Sequence, residues 1–514
     1  MESQTENNKR LVKNTAVLYA RMFLTVGISF YTSRIVLQNL GASDFGLFNL
    51  MSGFVAMFYM VTTSLSAAVN RFLAYDLGVG GKQRLNKTFC TSLNIELLFS
   101  LLVLLLGETV GLWFVNTQLV IEDDRLVVAN IIYQFSLLSF IVELIGVPYF
   151  SLVVAHEKMK VFAYNTIISV LFRLAVALLL IYSPIDRLVF YAVGSLLVGI
   201  FTQAAFYVYC KLKFEESKYK LYFDKVQFLQ MFSFGGWNFL TSISSMMRSQ
   251  GLNIVLNICY GTVVNAAFGI ARQLEGHIRS FAKNFILALN PQITKSYSEG
   301  NVVHSRNLTY KGTKFAFLLL FAIGFPIILY AKEFLDIWLV CVPKYTERFV
   351  QLTIVLSLIE MLLSPIGIFN QATGNIKKFQ IATCIAQIVV LPASYVLLKL
   401  GFSPYITLYS AIIAELILLP YRIEVNRREG ITMKDYWYYV LMRLMPVVLI
   451  VIISGYLIKY MLPSTILYTL ISAVLVMSIL ALSVYFIGLD TEERVIVVRV
   501  IRKCLKKNIT NEKV

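Results

Sequence analysis

Charged residues are scarce in this chain. They make up 15% of its 514 residues, well short of the roughly 25% usual in soluble domains. Apolar residues reach 58%, more than a soluble chain of this length can hide from water. The three histidines lie far apart in sequence, so no metal signature appears. The six cysteines, Cys90, Cys210, Cys259, Cys341, Cys384 and Cys504, include no C-x-x-C pair. That excludes a disulfide framework or a zinc module as the organising device. No G-x-x-x-x-G-K-S/T phosphate loop is present. The stretch Gly78-Val79-Gly80-Gly81-Lys82-Gln83 is glycine-rich but lacks the hydroxyl residue and the preceding strand, so it reads as a flexible inside loop. ATP hydrolysis is therefore not expected, and no cofactor or metal is implied. A cleavable signal peptide is not expected either. The first apolar run is too long for one, and Lys9, Arg10 and Lys13 precede it.

What fills the chain instead is long apolar segments. Fourteen runs are of bilayer-spanning length, roughly at 15–37, 46–69, 88–114, 126–150, 162–182, 188–210, 229–258, 265–290, 312–331, 349–371, 379–398, 405–421, 440–461 and 465–488. The fold expected is an all-α integral membrane protein with about fourteen transmembrane helices.

The runs also repeat. Glu143, Pro148, Ala155, Lys160 and Phe162 recur 217 residues later as Glu360, Pro365, Ala372, Lys377 and Phe379. Ile35-Val36-Leu37 recurs as Ile254-Val255-Leu256 at an offset of 219, and Asn70 matches Asn290 at 220. Apolar sequence matches itself easily, but a membrane glutamate five residues before a proline does not. The division expected is a six-helix bundle over 1–225, a second over 226–430, and two extra helices with a basic tail over 431–514. Six helices per half is an even number, so both halves enter the membrane in the same direction. This is a parallel repeat, a plan used by secondary transporters.

Loop charge sets the orientation. With the N-terminus inside, 31 of the 46 Lys and Arg fall in inside segments and 7 in outside ones. Such a bias is topogenic, so the net charge of +17 is not read as nucleic-acid binding. Both termini are expected in the cytoplasm. The basic tail from Arg494 to Lys507 reads first as the last inside segment, and second as a contact for anionic head groups.

The informative chemistry is the charge within the helices, where an ionised group normally faces a cavity or a partner. In the eighth run, Arg272, Glu275, Arg279 and Lys283 follow i, i+3, i+7, i+11 and form one stripe. The seventh run adds Arg248 and a polar set, Asn238, Thr241, Ser242, Ser245, Ser249, Asn253 and Asn257. The first run adds Arg21 and Arg34, and the fifth adds Arg173. Internal salt bridges would absorb part of this charge: Arg272 or Arg279 with Glu275, and Arg173 with Glu143. They cannot absorb it all, because eight basic residues meet six acids, Glu96, Glu108, Glu143, Glu275, Glu360 and Glu415. A cationic cavity is the favoured reading. Guanidinium groups match phosphate and carboxylate oxygens through paired hydrogen bonds, so the guest would be an anion such as a pyrophosphate or acidic sugar. Glu143 and Glu360 read either as ion-coupling sites beside kinking prolines or as counter-ions to arginine. His277 is either a pH-sensitive member of the cavity or a satisfied polar residue.

Three motifs carry a resemblance. Ser33-Arg34 through Gly41-Ala-Ser-Asp44-Phe45-Gly46-Leu47-Phe48 resembles the helix 1–2 junction of bacterial polysaccharide exporters. Phe268-Gly269-Ile270-Ala271 with Ala288-Leu-Asn-Pro291-Gln292-Ile293, and Thr373-Gly374-Asn375 through Phe379, are similar to their second-half motifs. These exporters belong to the multidrug/oligosaccharidyl-lipid/polysaccharide exporter superfamily. The resemblance implies two bundles around a cavity that opens alternately to each side. It implies a flippase for undecaprenyl-pyrophosphate-linked oligosaccharide, used in O-antigen, capsule or exopolysaccharide synthesis. Membrane lipids and other polysaccharide-assembly membrane proteins are the further partners it suggests.

Two relatives of that plan compete with it. A cation-coupled multidrug extruder would be expected to have an acidic cavity, whereas the first run carries Arg21 and Arg34 and no carboxylate. A peptidoglycan lipid-precursor flippase shares the cationic cavity and is separated only by motif similarity. A membrane enzyme of the same pathway is disfavoured, because no outside loop exceeds about twenty residues. The topology is directly testable. Reporter fusions at position 300 should read inside and at position 120 outside, and an outside signal at 300 would overturn both the repeat and the orientation.

Overall fold

The computed structural model is all-α. It describes residues 2–59, 69, 72–73, 76–77, 82–156, 158–220, 222, 225–374, 376–462, 466–491 and 493–495. Of these, 2–21, 225–241, 466–467 and positions 82, 159, 287, 288, 291, 295 and 298 are described as backbone only. Among the described residues, ten helices are long and apolar enough to cross a bilayer, from Gln83–Thr117 to Tyr468–Gly488. Four expected runs are not among the ten: 15–37, 46–69, 229–258 and 265–290. They fall in the helices Glu2–Ala56, Lys225–Tyr260 and Thr262–Ser298, or run on into residues outside those described. The last two of these helices carry the polar set and the charged stripe.

The repeat has a local structural meaning. Pro148 lies inside the helix Leu126–Ala155, whereas Pro365 stands at the start of Ser364–Thr373. A proline has no N–H and crowds the carbonyl one turn back. The first copy absorbs this and stays helical. In the second, the chain turns at Leu362 and Leu363, whose N–H groups bond Ile359 O at 3.2 Å and Glu360 O at 3.1 Å. Ala155 closes the first helix and Ala372 sits at the end of the second. Lys160 and Lys377 each stand in the opening turn of the next helix, Met159–Leu179 and Lys377–Ile388. The matched triplets Ile35-Val36-Leu37 and Ile254-Val255-Leu256 are buried in both copies. Asn70 lies outside the described residues.

The chain forms two compact units. The first is Met1–Ala271 with Asp336–Phe349 and Thr383–Ala411. The second is Arg272–Leu335 with Val350–Ala382 and Ile412–Val514. In the first unit, Gly41 breaks Glu2–Ala56 at φ +78, and Gly261 separates Lys225–Tyr260 from Thr262–Ser298 at φ +77. Only glycine takes that left-handed backbone without steric cost. The two glycines are 220 residues apart, the same offset as Asn70 and Asn290. The chain segments after the two turns press together. A methyl on Gly46 would lie 2.0 Å from the carbonyl oxygen of Thr262. Ser43 Oγ and Thr262 Oγ1 are 2.9 Å apart.

Three buried asparagines fix what packs beside that contact. Asn265 Nδ2 donates to Asn253 O at 2.6 Å and to Asn253 Oδ1 at 2.7 Å. Asn257 Nδ2 donates to Asn265 Oδ1 at 3.1 Å. Asn257 also bonds both backbone groups of Val120, accepting from its N–H at 2.9 Å and donating to its carbonyl at 3.2 Å. An amide satisfied at both ends carries its burial cost, and an orphaned one does not. Nearby, Arg125 joins three connections: its Nη2 lies 2.7 Å from Asp44 and its Nη1 2.5 Å from Asp186. Burial pushes the Asp186 carboxyl up. Arg125 and the N–H groups of Val189 and Leu188 more than offset this and hold it below the usual carboxylate range.

The close approach makes a prediction. Gly46→Ala should destabilise the purified protein by about 1–3 kcal/mol, since backbone must move to admit the methyl. A methyl on Gly27 meets nothing within 4 Å, so Gly27→Ala should be neutral or stabilising by up to about 1 kcal/mol. Equal thermal unfolding midpoints for the two variants would refute the glycine-mediated packing.

Candidate functional site

The charged stripe lies in the second unit. Arg272, Glu275, Arg279 and Lys283 share one face of Thr262–Ser298 by their spacing. Glu360, at the end of Thr346–Met361, meets that face. Arg279 Nη1 lies 3.3 Å from Glu275 Oε1 and 2.5 Å from Glu360 Oε2. Arg272 Nη1 lies 3.4 Å from Glu275 Oε2. Ser357 Oγ donates to Glu275 as well. Glu275 is only 4% exposed, so its charge is neutralised from three sides.

Pairing therefore accounts for much of the stripe but not all of it. Two guanidiniums face two carboxylates. Lys283, one turn beyond Arg279, is exposed and makes no ion pair among the described residues. The Arg272 side chain is 37% exposed, and its single contact with Glu275 is long. The excess positive charge is thus concentrated at Lys283, with Arg272 the second group able to reach outward. Arg279 is the internal strut that holds the two carboxylates together.

The repeated glutamate has a different setting in the first unit. Glu143 faces a cavity of about 330 Å³ whose wall includes Tyr59, Ser139, Ser169, Arg173 and Gln203. Tyr59 Oη donates to Glu143 Oε2. Arg173 faces the same cavity, but the expected Arg173–Glu143 salt bridge does not form among the described residues. Glu360 is a bound counter-ion to arginine, while Glu143 is an accessible carboxylate with a phenol partner.

The remaining expected site residues fall elsewhere. Arg34 is exposed and donates from Nη1 to Ile337 O at 3.2 Å, next to Trp338, whose Nε1 donates to Phe30 O at 2.8 Å. Its role there is to anchor Glu2–Ala56 on the segment after Asp336. The Arg21 side chain lies outside the described residues. Arg248 is half-buried in Lys225–Tyr260, within the first unit. His277 is half-buried on the stripe helix, and its carbonyl accepts from Ser280 Oγ at 2.6 Å.

In the polar set, Asn253 and Asn257 belong to the buried asparagine network. Ser245 and Ser249 bond carbonyls of their own helix. The side chains of Asn238 and Thr241 lie outside the described residues. Of the other acids, Glu415 pairs with buried Arg422, and Glu108 accepts from Gln134 at 3.0 Å. Glu96 is fully buried, and neither carboxylate oxygen finds a hydrogen bond among the described residues. Tyr59 and Ser357 were not foreseen. A lone hydroxyl in an apolar run gives no signal until its partner is known. Among the described residues no cluster of three His, Cys, Asp or Glu could hold a metal ion.

The described residues form an all-α bundle whose stripe of ionised groups lies on one helix face. Solved structures agree on the fold. The chain is similar to the lipid II flippase MurJ in its inward closed conformation, with 14% identity, a TM-score of 0.66, and coverage of 92% of this chain and 99% of that one. It is also similar to an inward-facing multidrug resistance MATE family transporter of the MOP superfamily, with 15% identity, a TM-score of 0.63, and coverage of 80% and 96%. Residues 11–297 match the family described as polysaccharide biosynthesis protein, and the chain belongs to that family. An uncharacterized membrane protein of Bacillus subtilis (strain 168), EpsK, is 24% identical over 330 residues. That match spans 62% of this chain and 63% of the relative's length.

The strut reading of Arg279 is testable. Arg279→Ala leaves two carboxylates facing each other in a low-dielectric site. It should cost about 3–5 kcal/mol and lower the amount of folded protein in the membrane. Adding Glu275→Gln and Glu360→Gln removes the stranded charge and should restore most of that amount. If the triple variant assembles no better than the single one, the network is not held by charge balance.

Proposed function

We propose that this protein is a flippase that moves lipid-linked oligosaccharide repeat units, carried on undecaprenyl pyrophosphate, across the bacterial inner membrane. The product would feed O-antigen, capsule or exopolysaccharide synthesis. The observation that carries this reading is the half-paired stripe on Thr262–Ser298: a fixed Arg279 strut with an exposed cation, Lys283, beyond it. An exposed ammonium with no ion pair among the described residues suits an anionic guest, and a pyrophosphate head group supplies one. Membership of the polysaccharide biosynthesis protein family supports the sugar-bearing lipid as cargo. In this reading two six-helix bundles, 1–225 and 226–430, open alternately to either face around the cavity, with both termini in the cytoplasm.

The transport is secondary. No phosphate loop exists in the sequence, so the drive is an ion gradient or consumption of the product outside. Of the two repeated glutamates, Glu143 is the coupling candidate, because it opens on a cavity and is not clamped by arginine. A second reading, flipping of a peptidoglycan lipid precursor, is favoured by the extent of the fold likeness to the lipid II flippase. A drug extruder fits less well, because a positive stripe repels cationic drugs.

Lys283→Gln should lower surface polysaccharide at least about tenfold, the effect of losing one charge-assisted contact to phosphate. Its amount in the membrane should be unchanged, since Lys283 holds no other group. Normal export with this variant would sink the cationic-guest reading. For coupling, flipping is measured in vesicles under an imposed proton or sodium gradient. Glu143→Gln should remove the gradient response while Glu360→Gln retains it. The opposite pattern, or a wild type indifferent to gradients, would show that Glu143 is not the coupling site.

A further inference from the structure

A second basic site lies where the helix Val302–Leu329 begins. A cavity of about 490 Å³ opens there, with Tyr310, Lys311, Lys314, Arg443, Asp490 and Arg494 in its wall. These residues come from separate chain segments: the first turns of Val302–Leu329, the start of Met442–Met461, and the stretch after the π turn Val484–Gly488. All belong to the second unit. None is part of the stripe on Thr262–Ser298.

The charge in this pocket is positive and organised. Lys314 Nζ lies 2.6 Å from Glu493 Oε2 and 3.8 Å from Asp490 Oδ2. Arg443 Nη2 lies 3.1 Å from Asp490 Oδ1. The Asp490 N–H also donates to Glu493 Oε2 at 2.9 Å. Both acids are thus engaged by Lys314 and Arg443. Arg494 brings a further positive charge to the same wall.

Two donors in the pocket lack acceptors. Tyr310 is 4% exposed, and its hydroxyl has no hydrogen-bond partner among the described residues. Arg494 spends Nη2 on Phe486 O, yet its buried Nε likewise has none among the described residues. A buried donor left unpaired is costly. Unfilled N–H and O–H groups beside surplus positive charge call for an anion with several oxygens. Phosphate supplies these and carboxylate supplies fewer.

The setting says which kind of phosphate. Trp437, Tyr438 and Tyr439 are 45%, 58% and 52% exposed, and Tyr439 stacks on Tyr310 at 5.6 Å between ring centroids. Met442 and Met445 follow at 52% and 46% exposed. Exposed aromatics between a charged cluster and an apolar helix mark the head-group level of a bilayer. We propose that this pocket binds the phosphodiester of an anionic phospholipid, with Arg494 balancing its charge and Tyr310 donating to a phosphate oxygen. The bound lipid ties the two last membrane helices to Val302–Leu329. This site does not depend on what the protein transports.

The test uses the full chain in nanodiscs of phosphatidylcholine, with or without phosphatidylglycerol, and reads the thermal unfolding midpoint. Phosphatidylglycerol should raise the wild-type midpoint. Tyr310→Phe keeps the ring and removes the donor, and Arg494→Gln removes the charge. Each should need about tenfold more phosphatidylglycerol for the same shift, the loss of one charge-assisted hydrogen bond. Arg428→Gln removes an exposed charge outside the pocket and should respond as the wild type does. Inorganic phosphate added to phosphatidylcholine discs should give no shift. The proposal is overturned by a wild type indifferent to phosphatidylglycerol, or by Tyr310→Phe and Arg494→Gln responding normally. Equal loss in Arg428→Gln would mean general surface charge, and a full effect of inorganic phosphate would mean a soluble-anion site. If Arg494→Gln does not fold, Tyr310→Phe decides alone.

Discussion

Everything near the first glycine turn depends on a small buried amide network. Asn253, Asn257 and Asn265 satisfy one another and both backbone groups of Val120 inside apolar surroundings. A buried amide network left half-satisfied is costly, so it forms whole or not at all. It also fixes the approach of two segments from different halves of the sequence. The helix after Gly41 touches the backbone of Thr262, and that contact holds only while position 46 carries no side chain. Polar complementarity and the absence of a methyl group act on the same few ångströms of the interior. The hydrophobic surroundings supply bulk stabilisation, but they are too uniform to set a register.

The membrane architecture was legible from the sequence because it rests on length, apolarity and repetition, which need no partner to be seen. The offset of 217 residues predicted that Glu360, Pro365, Ala372 and Lys377 would do the local work of Glu143, Pro148, Ala155 and Lys160. The helix ends fall accordingly. The single face of Arg272, Glu275, Arg279 and Lys283 was equally legible, since it follows from helical periodicity alone. What periodicity cannot give is the partner across the gap. Glu360 reaching Arg279, Tyr59 reaching Glu143 and Asn257 reaching Val120 are meetings between residues 81, 84 and 137 positions apart. Asn253 and Asn257 read as pore-lining because a polar residue in a membrane helix is ambiguous until its neighbours are known.

The stripe also shows why counting charges overstates a cavity. Eight basic residues against six acids suggested a broadly positive interior. In the second unit the excess is narrower: one strut, one partly paired arginine and one exposed lysine. A charge held between two carboxylates sets geometry. A charge without a fixed partner is available for chemistry. The two kinds are indistinguishable in composition and separate only by distance.

The proline pair carries a consequence for the history of the chain. The two matched segments share a glutamate and a proline at the same spacing. One has kept a continuous helix, and the other has split at Leu362 and Leu363. The glutamates diverged with them, one drawn into a salt bridge and one left facing an open chamber. Sequence identity between the copies is therefore a poor guide to which position still answers to the outside world. In a chain built this way, the more instructive comparison for any residue is its own counterpart half a molecule away.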